Sequence, residues 1–529
     1  MRRKARIWQG VILLLLWITG VMAAPWTVAG HFSLNDSLVY EGLGSNGISG
    51  ILFMDDSTYF FATGYGLSVT TNAGETFYSY YNNPMAVRYG GVTSMTSLGQ
   101  HLWVATAFDS VGVEESAATG NGISYSPDGG LSWIQYPQMT DHPDSGFVLL
   151  YGDTLKALPT TVPIDNLTYD MAVHVNTAGD TLLWATSFAG GTRVSRDLGK
   201  TWKRVVLPPD NMDVLNEESP RNFQLSPVDR PDLGITGNYN HRAFSVVARK
   251  DTVVIGTAGG VNLSTDSGKT WRRYTAQNSD LSGNFIVALH LGKDGTLYAA
   301  ALPAVGAGEF QSLSYTVKGT FGALHWENTL RDKRLYNVST WKNQIFAATA
   351  TGLWVSGDGW NWVPIHYPKD YATGDRLYSD EIYAAAVDPL ERLWVGTGDG
   401  LAMTEDNGLN WRIIRKVAHI GPPGDFKVSA YPNPFSPGRM NVFEGEGHVR
   451  FHVLIPEEGT LSLDVFDFGM TRVKTILREA DIFPGEKDFT WNGKNGLNNM
   501  VANGTYFVRA VFHGRGTERV AWTKVIILE

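Results

Sequence analysis

The amino-acid sequence predicts an all-β protein in which a seven-bladed β-propeller is followed by an immunoglobulin-like β-sandwich. Three observations predict this fold. A turn motif of the form S/T-x-D/N-x-G-x-T/S/N-W/F recurs between residues 46 and 417, short apolar runs precede each copy, and residues 427–529 replace the motif with a series of alternating strands. Even spacing of four-stranded units favours radial repetition around a channel.

The recurring motif, called the box below, has turn chemistry. A short Asp or Asn side chain bonds nearby backbone N–H groups, and the Gly two residues later takes a positive φ at little steric cost. The closing Trp or Phe offers an apolar face to a neighbouring sheet. We therefore expect the central side chains of the boxes to be structural; they are Asn72, Asp128, Asp197, Asp266, Asp358 and Asp406.

Each box ends a unit that reads as four short strands. Complete boxes lie at 70–77, 126–133, 195–202, 264–271 and 404–411, and a shortened box lies at 356–362. A degenerate copy keeps Lys318, Gly319 and Trp326. These seven units predict seven blades. A solenoid of stacked repeats is the alternative, but its units are usually shorter and do not end in this turn and Trp.

The boxes resemble the Asp-box (BNR-type) repeats of sialidases, sortilin-type receptors, secreted xyloglucan hydrolases and a photosystem assembly factor. The stretch 393–401, LWVGTGDGL, also resembles the short repeat of propeller sensor domains. The resemblance covers residues 46 to 417 and implies the propeller fold. It implies no single activity, because these families share the box while doing unrelated work.

Composition limits the chemistry and the partners that we expect. The chain has 529 residues, of which 43% are hydrophobic and 12% aromatic, which is ample for β cores. The absence of cysteine excludes thiol catalysis, disulfides and thiolate metal sites. A net charge of −9 without a basic block argues against nucleic acid and anionic membranes as partners. We find no metal motif and no phosphate-binding glycine loop, so no metal and no cofactor is expected.

The N-terminus has the pattern of a secretory signal peptide over residues 1–24. A basic stretch at 1–6 precedes an apolar stretch at 7–21, and small residues at Ala23 and Ala24 offer a cleavage site. This pattern predicts passage through the periplasm to a secreted or outer-surface location, with no membrane span after cleavage. An uncleaved anchor is the alternative, although the apolar stretch is shorter than the roughly 20 residues that a span needs.

The C-terminal part begins after the last box. We expect the propeller to occupy 25–417, a linker rich in Gly and Pro to occupy 418–426, and the sandwich to occupy 427–529. Strands are predicted at 448–455, 460–466, 471–477, 487–491, 505–512 and 520–528, which favours an immunoglobulin-like sandwich.

The landmark segments YPNPF at 431–435, WNG at 491–493 and NGTYF at 503–507 resemble the C-terminal sorting domain of the type IX secretion system. They resemble the FlgD-like immunoglobulin-like domain of the flagellar hook cap equally well. The first resemblance implies export through the secretion machinery. A plain accessory sandwich is the alternative, and the chain departs from the commonest sorting ending by closing on Glu529.

Candidate ligand residues lie just ahead of the predicted inner strands, where the loops between blades open around the channel mouth. Long irregular loops on a rigid scaffold are often functional, and here they lie at 137–169, 206–242 and 366–381 between blades, and at 107–121 and 302–311 within blades. We predict ligand binding by Arg88, Tyr89, Arg242 and Arg334. The candidates for catalysis are Asp170, Tyr336, Asp380 and Glu381.

Two kinds of enzyme are conceivable at this mouth. Three arginines and a Tyr are similar to the carboxylate clamp and the nucleophile of sialidases, but the spacing pairs no Tyr with a Glu and the Arg-Ile-Pro signature is absent. Two carboxylates across the cleft, Asp170 with Asp380 or Glu381, would instead suit polysaccharide hydrolysis. Ordinary solvated loop charges are the structural alternative to both.

We therefore predict a secreted or cell-surface bacterial propeller that binds a glycan or a protein on its loop-rich face. Its alternatives are a glycoside hydrolase and an assembly or structural factor. Converging arginines or facing carboxylates would favour the enzyme, whereas an exposed apolar patch would favour the assembly factor.

Overall fold

A computed structural model describes residues 39–81, 87–111, 116–316, 324–365, 368–416 and 425–529. Within these ranges the chain is built from antiparallel strands, with 3-10 turns at Pro231–Leu233 and Tyr239–His241. The predicted signal peptide, the degenerate box residues Lys318 and Gly319, and positions 418–424 of the predicted linker lie outside the described residues.

Seven antiparallel sheets follow one another from residue 48 to residue 414. Blade 1 consists of β2 (Ile48–Phe53), β3 (Tyr59–Thr63), β4 (Leu67–Thr70) and β5 (Tyr78–Tyr80), with β1 (Val39–Glu41) on its outer edge. Blade 2 consists of β6 (Gly91–Leu98), β7 (His101–Val111), β8 (Ser116–Ser126) and β9 (Ile134–Tyr136). A separate hairpin, β10 (Phe147–Leu150) and β11 (Asp153–Lys156), precedes blade 3, which consists of β12 (Asp170–Val175), β13 (Thr181–Ser187), β14 (Gly191–Ser195) and β15 (Lys203–Val205).

The remaining four blades repeat the same order. Blade 4 has β16 (Val214–Leu215) on its outer edge and consists of β17 (Ala243–Arg249), β18 (Thr252–Thr257), β19 (Gly260–Ser264) and β20 (Trp271–Tyr274). Blade 5 consists of β21 (Phe285–Leu291), β22 (Leu297–Leu302), β23 (Ser312–Thr316) and β24 (Trp326–Thr329). Blade 6 consists of β25 (Leu335–Trp341), β26 (Gln344–Thr349), β27 (Gly352–Ser356) and β28 (Val363–Ile365), and blade 7 of β29 (Ile382–Val387), β30 (Leu393–Thr397), β31 (Leu401–Thr404) and β32 (Arg412–Ile414).

The sheets close into a ring, and the predicted seven-bladed β-propeller is confirmed. The first strands of the blades, β2, β6, β12, β17, β21, β25 and β29, each contact the next, and β29 contacts β2. These seven strands are therefore the inner strands around the channel. Strand β1 pairs with the outermost strand β5, so it widens blade 1 and leaves ring closure to the contact of blade 7 with blade 1.

The closure of the ring is an apolar and hydrogen-bonded seam. Trp394 of blade 7 is fully buried against Tyr59 and Phe61 of blade 1, with ring centroids 5.9 Å and 5.6 Å away. The guanidinium of Arg392 donates to the carbonyl of Ala73 at 2.8 Å and pairs with Asp388 at 2.7 Å. Burial of these rings stabilises the closure of the ring.

The boxes form tight turns on the face opposite the starts of the inner strands. In each box with an Asn or Asp at its centre, that side chain accepts a backbone N–H at 2.8 to 3.0 Å from the residue before the closing aromatic; the donors are Thr76, Ser132, Thr201, Thr270, Asn361 and Asn410. The hydroxyl and the amide of Ser132 lower the pKa of Asp128 in this way. A carboxylate already satisfied by its own turn is a structural group.

The boxes also join neighbouring blades. The indole N–H of Trp103 in blade 2 donates to the carbonyl of Leu198 in the box of blade 3 at 3.0 Å. Trp184 of blade 3 lies against Gly268 in the box of blade 4 so closely that a Cβ there would be 2.4 Å from the indole ring. The box is therefore a clamp between blades as well as a turn.

One predicted loop is a paired ribbon. We expected 107–121 to be irregular, but β7 and β8 continue past the blade and pair Phe108 with Thr119 and Ser110 with Ala117. The ribbon extends beyond the blade, so neither of its faces packs on a core. Its small and polar residues therefore lack the apolar alternation that identifies a half-buried strand.

The C-terminal residues form two sheets around one core. One sheet contains β33 (Lys427–Tyr431), β34 (Val449–Ile455) and β37 (Gly485–Trp491), and the other contains β36 (Arg472–Ile482), β35 (Gly459–Phe466), β38 (Gly504–His513) and β39 (Glu518–Ile527). Phe451, Leu463 and Val508 are among the fully buried side chains between them. Each of the six strands predicted from the sequence overlaps an observed strand. The domain boundaries and the immunoglobulin-like topology remain predictions.

Candidate functional site

The site residues predicted from the sequence lie at the starts of inner strands. Arg88 and Tyr89 precede β6, Asp170 is the first residue of β12, and Arg242 precedes β17. Arg334 and Tyr336 flank the start of β25, while Asp380 and Glu381 precede β29. Since inner strands run in the same direction around the ring, these positions share one end of the channel, here called the mouth.

The most developed group at the mouth is a Tyr–Glu–Tyr cluster. The phenol of Tyr336 donates to Oε1 of Glu381 at 2.5 Å, and the phenol of Tyr383 donates to Oε2 of the same carboxylate at 2.8 Å. The two tyrosine rings meet edge to face with centroids 5.2 Å apart. Burial and the Glu381 carboxylate raise the pKa of both phenols, so both stay protonated and act as donors.

Adjacent inner strands bring this cluster together. Tyr336 lies on β25, whereas Glu381 and Tyr383 lie at the start of β29, two residues apart and therefore on the same side of the strand. Tyr336 and Glu381 are 45 residues apart in the sequence, so this pairing could not be predicted from their spacing. Tyr383 was not predicted; its spacing of two from Glu381 is the signal that could have identified it.

Two polar atoms beside the cluster are buried without a protein partner. They are Nε of Arg334 and Oδ1 of Asp380. The guanidinium of Arg334 lies 6.0 Å from the ring centre of Tyr336. The backbone N–H of Asp380 donates to the carbonyl of Val442, a residue of the C-terminal part, at 2.6 Å. Both atoms are shielded from solvent, so they belong to the packing around the cluster and do not themselves face the mouth.

Asp170 has a different role, because protein groups occupy both of its oxygens. Oδ1 accepts the amide of Met171 at 2.8 Å and the hydroxyl of Ser94 at 3.3 Å, and Oδ2 accepts the amide of Val246 at 2.9 Å. Asp170 thereby connects the inner strands of blades 2, 3 and 4. Asp170 is partly exposed as a residue, but its carboxylate is buried. This burial raises the pKa of Asp170 to about 6.

The raised pKa predicts a pH-dependent cost in stability. Because the folded pKa of Asp170 exceeds the ordinary 3.8, folding takes up a proton between about pH 4 and 6, and stability falls as the pH rises through that window. Relative to Asp170→Asn, the free energy of unfolding of the wild type should fall by up to about 3 kcal/mol between pH 4 and 7. Denaturant titrations at several pH values measure this difference. Asp56→Asn, at an exposed carboxylate, is the control, and equal pH slopes for wild type and Asp170→Asn would contradict the prediction.

The three predicted arginines have separate partners. Arg88 donates to the side chain of Gln135 at 3.1 Å and to the carbonyl of Asn121 at 3.2 Å. Arg242 donates to the carbonyl of Pro227 at 2.6 Å, and its guanidinium lies 4.4 Å from the ring centre of Tyr239. The third, Arg334, lies beside the Tyr–Glu–Tyr cluster. Their contacts therefore hold Arg88 and Arg242 in their own loops.

Tyr89 completes the predicted set and lies on an aromatic contact. Its side chain is 39% exposed, its ring centroid is 4.8 Å from that of Phe108, and its carbonyl accepts the side-chain amide of Asn121. This part of the mouth therefore presents an aromatic face.

Neither a metal-binding group nor a membrane-spanning helix is present in the described ranges. No group of three or more His, Cys, Asp or Glu side chains is arranged to hold a metal ion. Among the same residues, no helix has the length and apolar character required to cross a bilayer.

Comparison with known proteins gives only distant structural similarity. No family model and no curated protein matches the chain. Among solved structures, PorZ, described as an essential bacterial surface component of the type IX secretion system of Porphyromonas gingivalis, is similar at 14% identity and a TM-score of 0.41, covering 91% of this chain and 66% of its own. The extracellular domain of BT4673 from B. thetaiotaomicron, described as a one-component system, is similar at 13% identity and a TM-score of 0.42, covering 91% of this chain and 57% of its own.

A third similar structure is YCF48 bound to a D1 peptide, at 14% identity and a TM-score of 0.40, covering 74% of this chain and 99% of its own. The chain thus spans less than two thirds of the length of the first two structures. At these identities and TM-scores the similarity decides nothing about family, ligands or activity.

Proposed function

We propose that this protein is a secreted or cell-surface propeller that binds an extracellular glycan or protein at its mouth. The Tyr–Glu–Tyr cluster is the observation that carries the proposal. Its three side chains are partly exposed, so a ligand with hydroxyl or amide groups would bond the Glu381 carboxylate and rest on the tyrosine edges. Ligand sites commonly combine aromatic surface with a few polar groups of this kind.

The proposed location rests on the two ends of the chain. The pattern of residues 1–24 supports export across the inner membrane. The segments at 431–435, 491–493 and 503–507 support a role of the C-terminal part in sorting by a secretion machinery. Full-length protein and a variant lacking residues 427–529, compared for secretion in the native host, would test the sorting role; equal export of both would refute it.

Binding is tested at the cluster by single-atom changes. Tyr336→Phe and Glu381→Gln each remove hydrogen bonding at the site with little change in shape. The ligand is first identified on a glycan array or in an extracellular-protein screen. We expect each substitution to lower the affinity for that ligand by about threefold to tenfold, the effect of one net hydrogen bond. Glu391→Gln, which removes an exposed carboxylate at a turn on the opposite face, is the matched control. Unchanged affinity in both cluster variants would refute binding at the mouth.

A protein ligand has one additional observation in its favour. The hairpin in the loop between blades 2 and 3 presents Phe147 and Leu149, which are 62% and 76% exposed. They alternate with half-buried Val148 and Leu150, so the hairpin shows one apolar face to solvent. Exposed apolar patches of this kind mark interaction surfaces. The hydroxyl of Tyr151 at the hairpin tip donates to the carbonyl of Lys269 in the box of blade 4, so this patch lies away from the mouth. Phe147→Ser with Leu149→Ser should weaken a protein that binds at the patch, and a ligand confined to the mouth should be unaffected.

Glycoside hydrolysis is the second candidate, favoured by the 2.5 Å contact of Tyr336 with Glu381. A glutamate that accepts a phenolic proton is the arrangement that a tyrosine nucleophile needs. The second phenol on Glu381 opposes this use, because Tyr383 donates to the other oxygen of the same carboxylate. Turnover of an aryl sialoside that is lost in Tyr336→Phe would establish the activity, and absence of turnover in the wild type would leave binding as the function.

A further inference from the structure

The C-terminal sandwich has two outer faces, and the propeller covers one of them. The outward side chain of Arg450 on β34 is only 5% exposed, because its guanidinium pairs with the buried Asp399 of blade 7. Nε of Arg450 donates to one oxygen of Asp399 at 2.9 Å, and Nη2 donates to the other at 2.5 Å. The outer face of the three-stranded sheet is therefore an internal interface of the protein.

The outer face of the four-stranded sheet carries a different set of side chains. Residues that alternate with the core positions of β35, β38 and β39 point outward, and the strand register aligns them in rows. One row runs Arg472, Phe466, Phe507, Lys524, and the next runs Thr475, Asp464, Arg509, Trp522. We call these two rows the aromatic-basic face.

The aromatic side chains of this face are solvent-accessible and mutually ordered. Trp522 is 46% exposed, and its ring centroid lies 5.9 Å from that of Phe466. Phe468, in the turn after β35, is 80% exposed and lies 6.3 Å from Phe507. Large aromatic groups grouped on an exposed sheet are unusual in a face with no partner.

The charges of the face define the kind of partner. Arg472, Arg509 and Lys524 oppose a single carboxylate, Asp464, which itself accepts the hydroxyl of Thr475 at 2.5 Å. The guanidinium of Arg509 lies 5.8 Å from the Trp522 ring. The face therefore has an excess of positive charge on a protein whose net charge is −9. An anionic partner is complementary to it.

We propose that the aromatic-basic face binds an acidic polysaccharide. The face is an open sheet surface, so it suits a flat ligand better than a side chain that needs a pocket. A sugar ring can lay its C–H face on Trp522 or Phe507 while a carboxylate on the next sugar pairs with Arg509 or Lys524. This site lies on the sandwich and goes beyond the ligand site proposed at the propeller mouth.

The test uses the full-length secreted protein and four immobilised probes. They are alginate as an acidic polysaccharide, dextran as a neutral one, poly-L-glutamate as an acidic polypeptide, and phosphatidylserine vesicles as an anionic membrane. We expect binding to alginate that exceeds binding to the other three. Trp522→Ala and Arg509→Gln should each weaken alginate binding by about threefold to tenfold, the worth of one aromatic contact or one exposed charge pair.

Matched controls separate the face from charge and exposure in general. Trp360→Ala removes a tryptophan that is 60% exposed on the propeller, and Arg515→Gln removes an arginine that is 84% exposed at the sandwich edge. Both should leave alginate binding unchanged. No binding to alginate, equal binding to poly-L-glutamate or vesicles, or equal losses in the control variants would overturn the proposal.

Discussion

Asp399→Ala should destabilise the protein by about 3 to 5 kcal/mol, because it would leave two buried arginines without their central counter-ion. The Asp399 carboxylate is fully buried in the turn between β30 and β31. It pairs with Arg450 at 2.5 Å and with Arg415 at 3.4 Å, and it also accepts the amide of Tyr378 at 2.8 Å. Burial alone would raise the pKa of Asp399, but the charges of Arg450 and Arg415 lower it.

The rest of the network cannot replace Asp399. Asp375 pairs with Arg415 and lies 3.8 Å from Arg450, and Asp488 lies 4.0 Å from both guanidinium groups. These carboxylates are at the edge of the cluster, where water competes for them. Denaturant unfolding measures the effect. Asp180→Ala, which breaks an exposed pair with Arg196 at 2.9 Å, is the control and should cost at most about 1 kcal/mol. A loss of similar size in both variants would contradict the assigned role of the network.

Gly74→Ala is expected to disrupt the seam that closes the ring. Gly74 has φ +91, and a Cβ there would be 2.4 Å from the indole of Trp394. Trp394 is fully buried between blades 7 and 1 and cannot turn away without opening the seam. Forced overpacking costs about 1 to 3 kcal/mol, and the left-handed backbone adds about 1 kcal/mol.

A matched glycine separates these two costs. Gly374 has φ +77, but a Cβ there would meet nothing within 4 Å. Gly374→Ala should therefore show only the backbone cost of about 1 kcal/mol. Thermal unfolding of both variants, followed by tryptophan fluorescence, measures the difference. Equal stability of the two variants would mean that the seam relaxes around the added methyl group. Gly268→Ala, against Trp184, should behave like Gly74→Ala.

The fold could be predicted from the sequence because each of its determinants is local. Each complete box specifies its turn within eight consecutive residues, and the apolar runs beside it specify strands that pair with their immediate neighbours. The loop predicted at 107–121 is the exception, because β7 and β8 continue to pair there without an apolar pattern.

The candidate site could be predicted only in its location. Placement of Arg334, Tyr336 and Glu381 at the mouth follows from their positions before inner strands. Their pairing does not, because it depends on the relative rotation of β25 and β29, which no residue pattern encodes. The same holds for Arg450 and Asp399, whose pairing links the C-terminal sheets to blade 7 and leaves no signal in either segment.

The buried network also has a mechanical consequence for a protein held by its C-terminal part. A pull on the sandwich would reach blade 7 of the propeller through the pair of Arg450 and Asp399. Blade 7 forms the seam with blade 1, and it also carries Glu381 and Tyr383 at the mouth. Tension applied to the C-terminal part would therefore reach the residues of the mouth and the ring closure together.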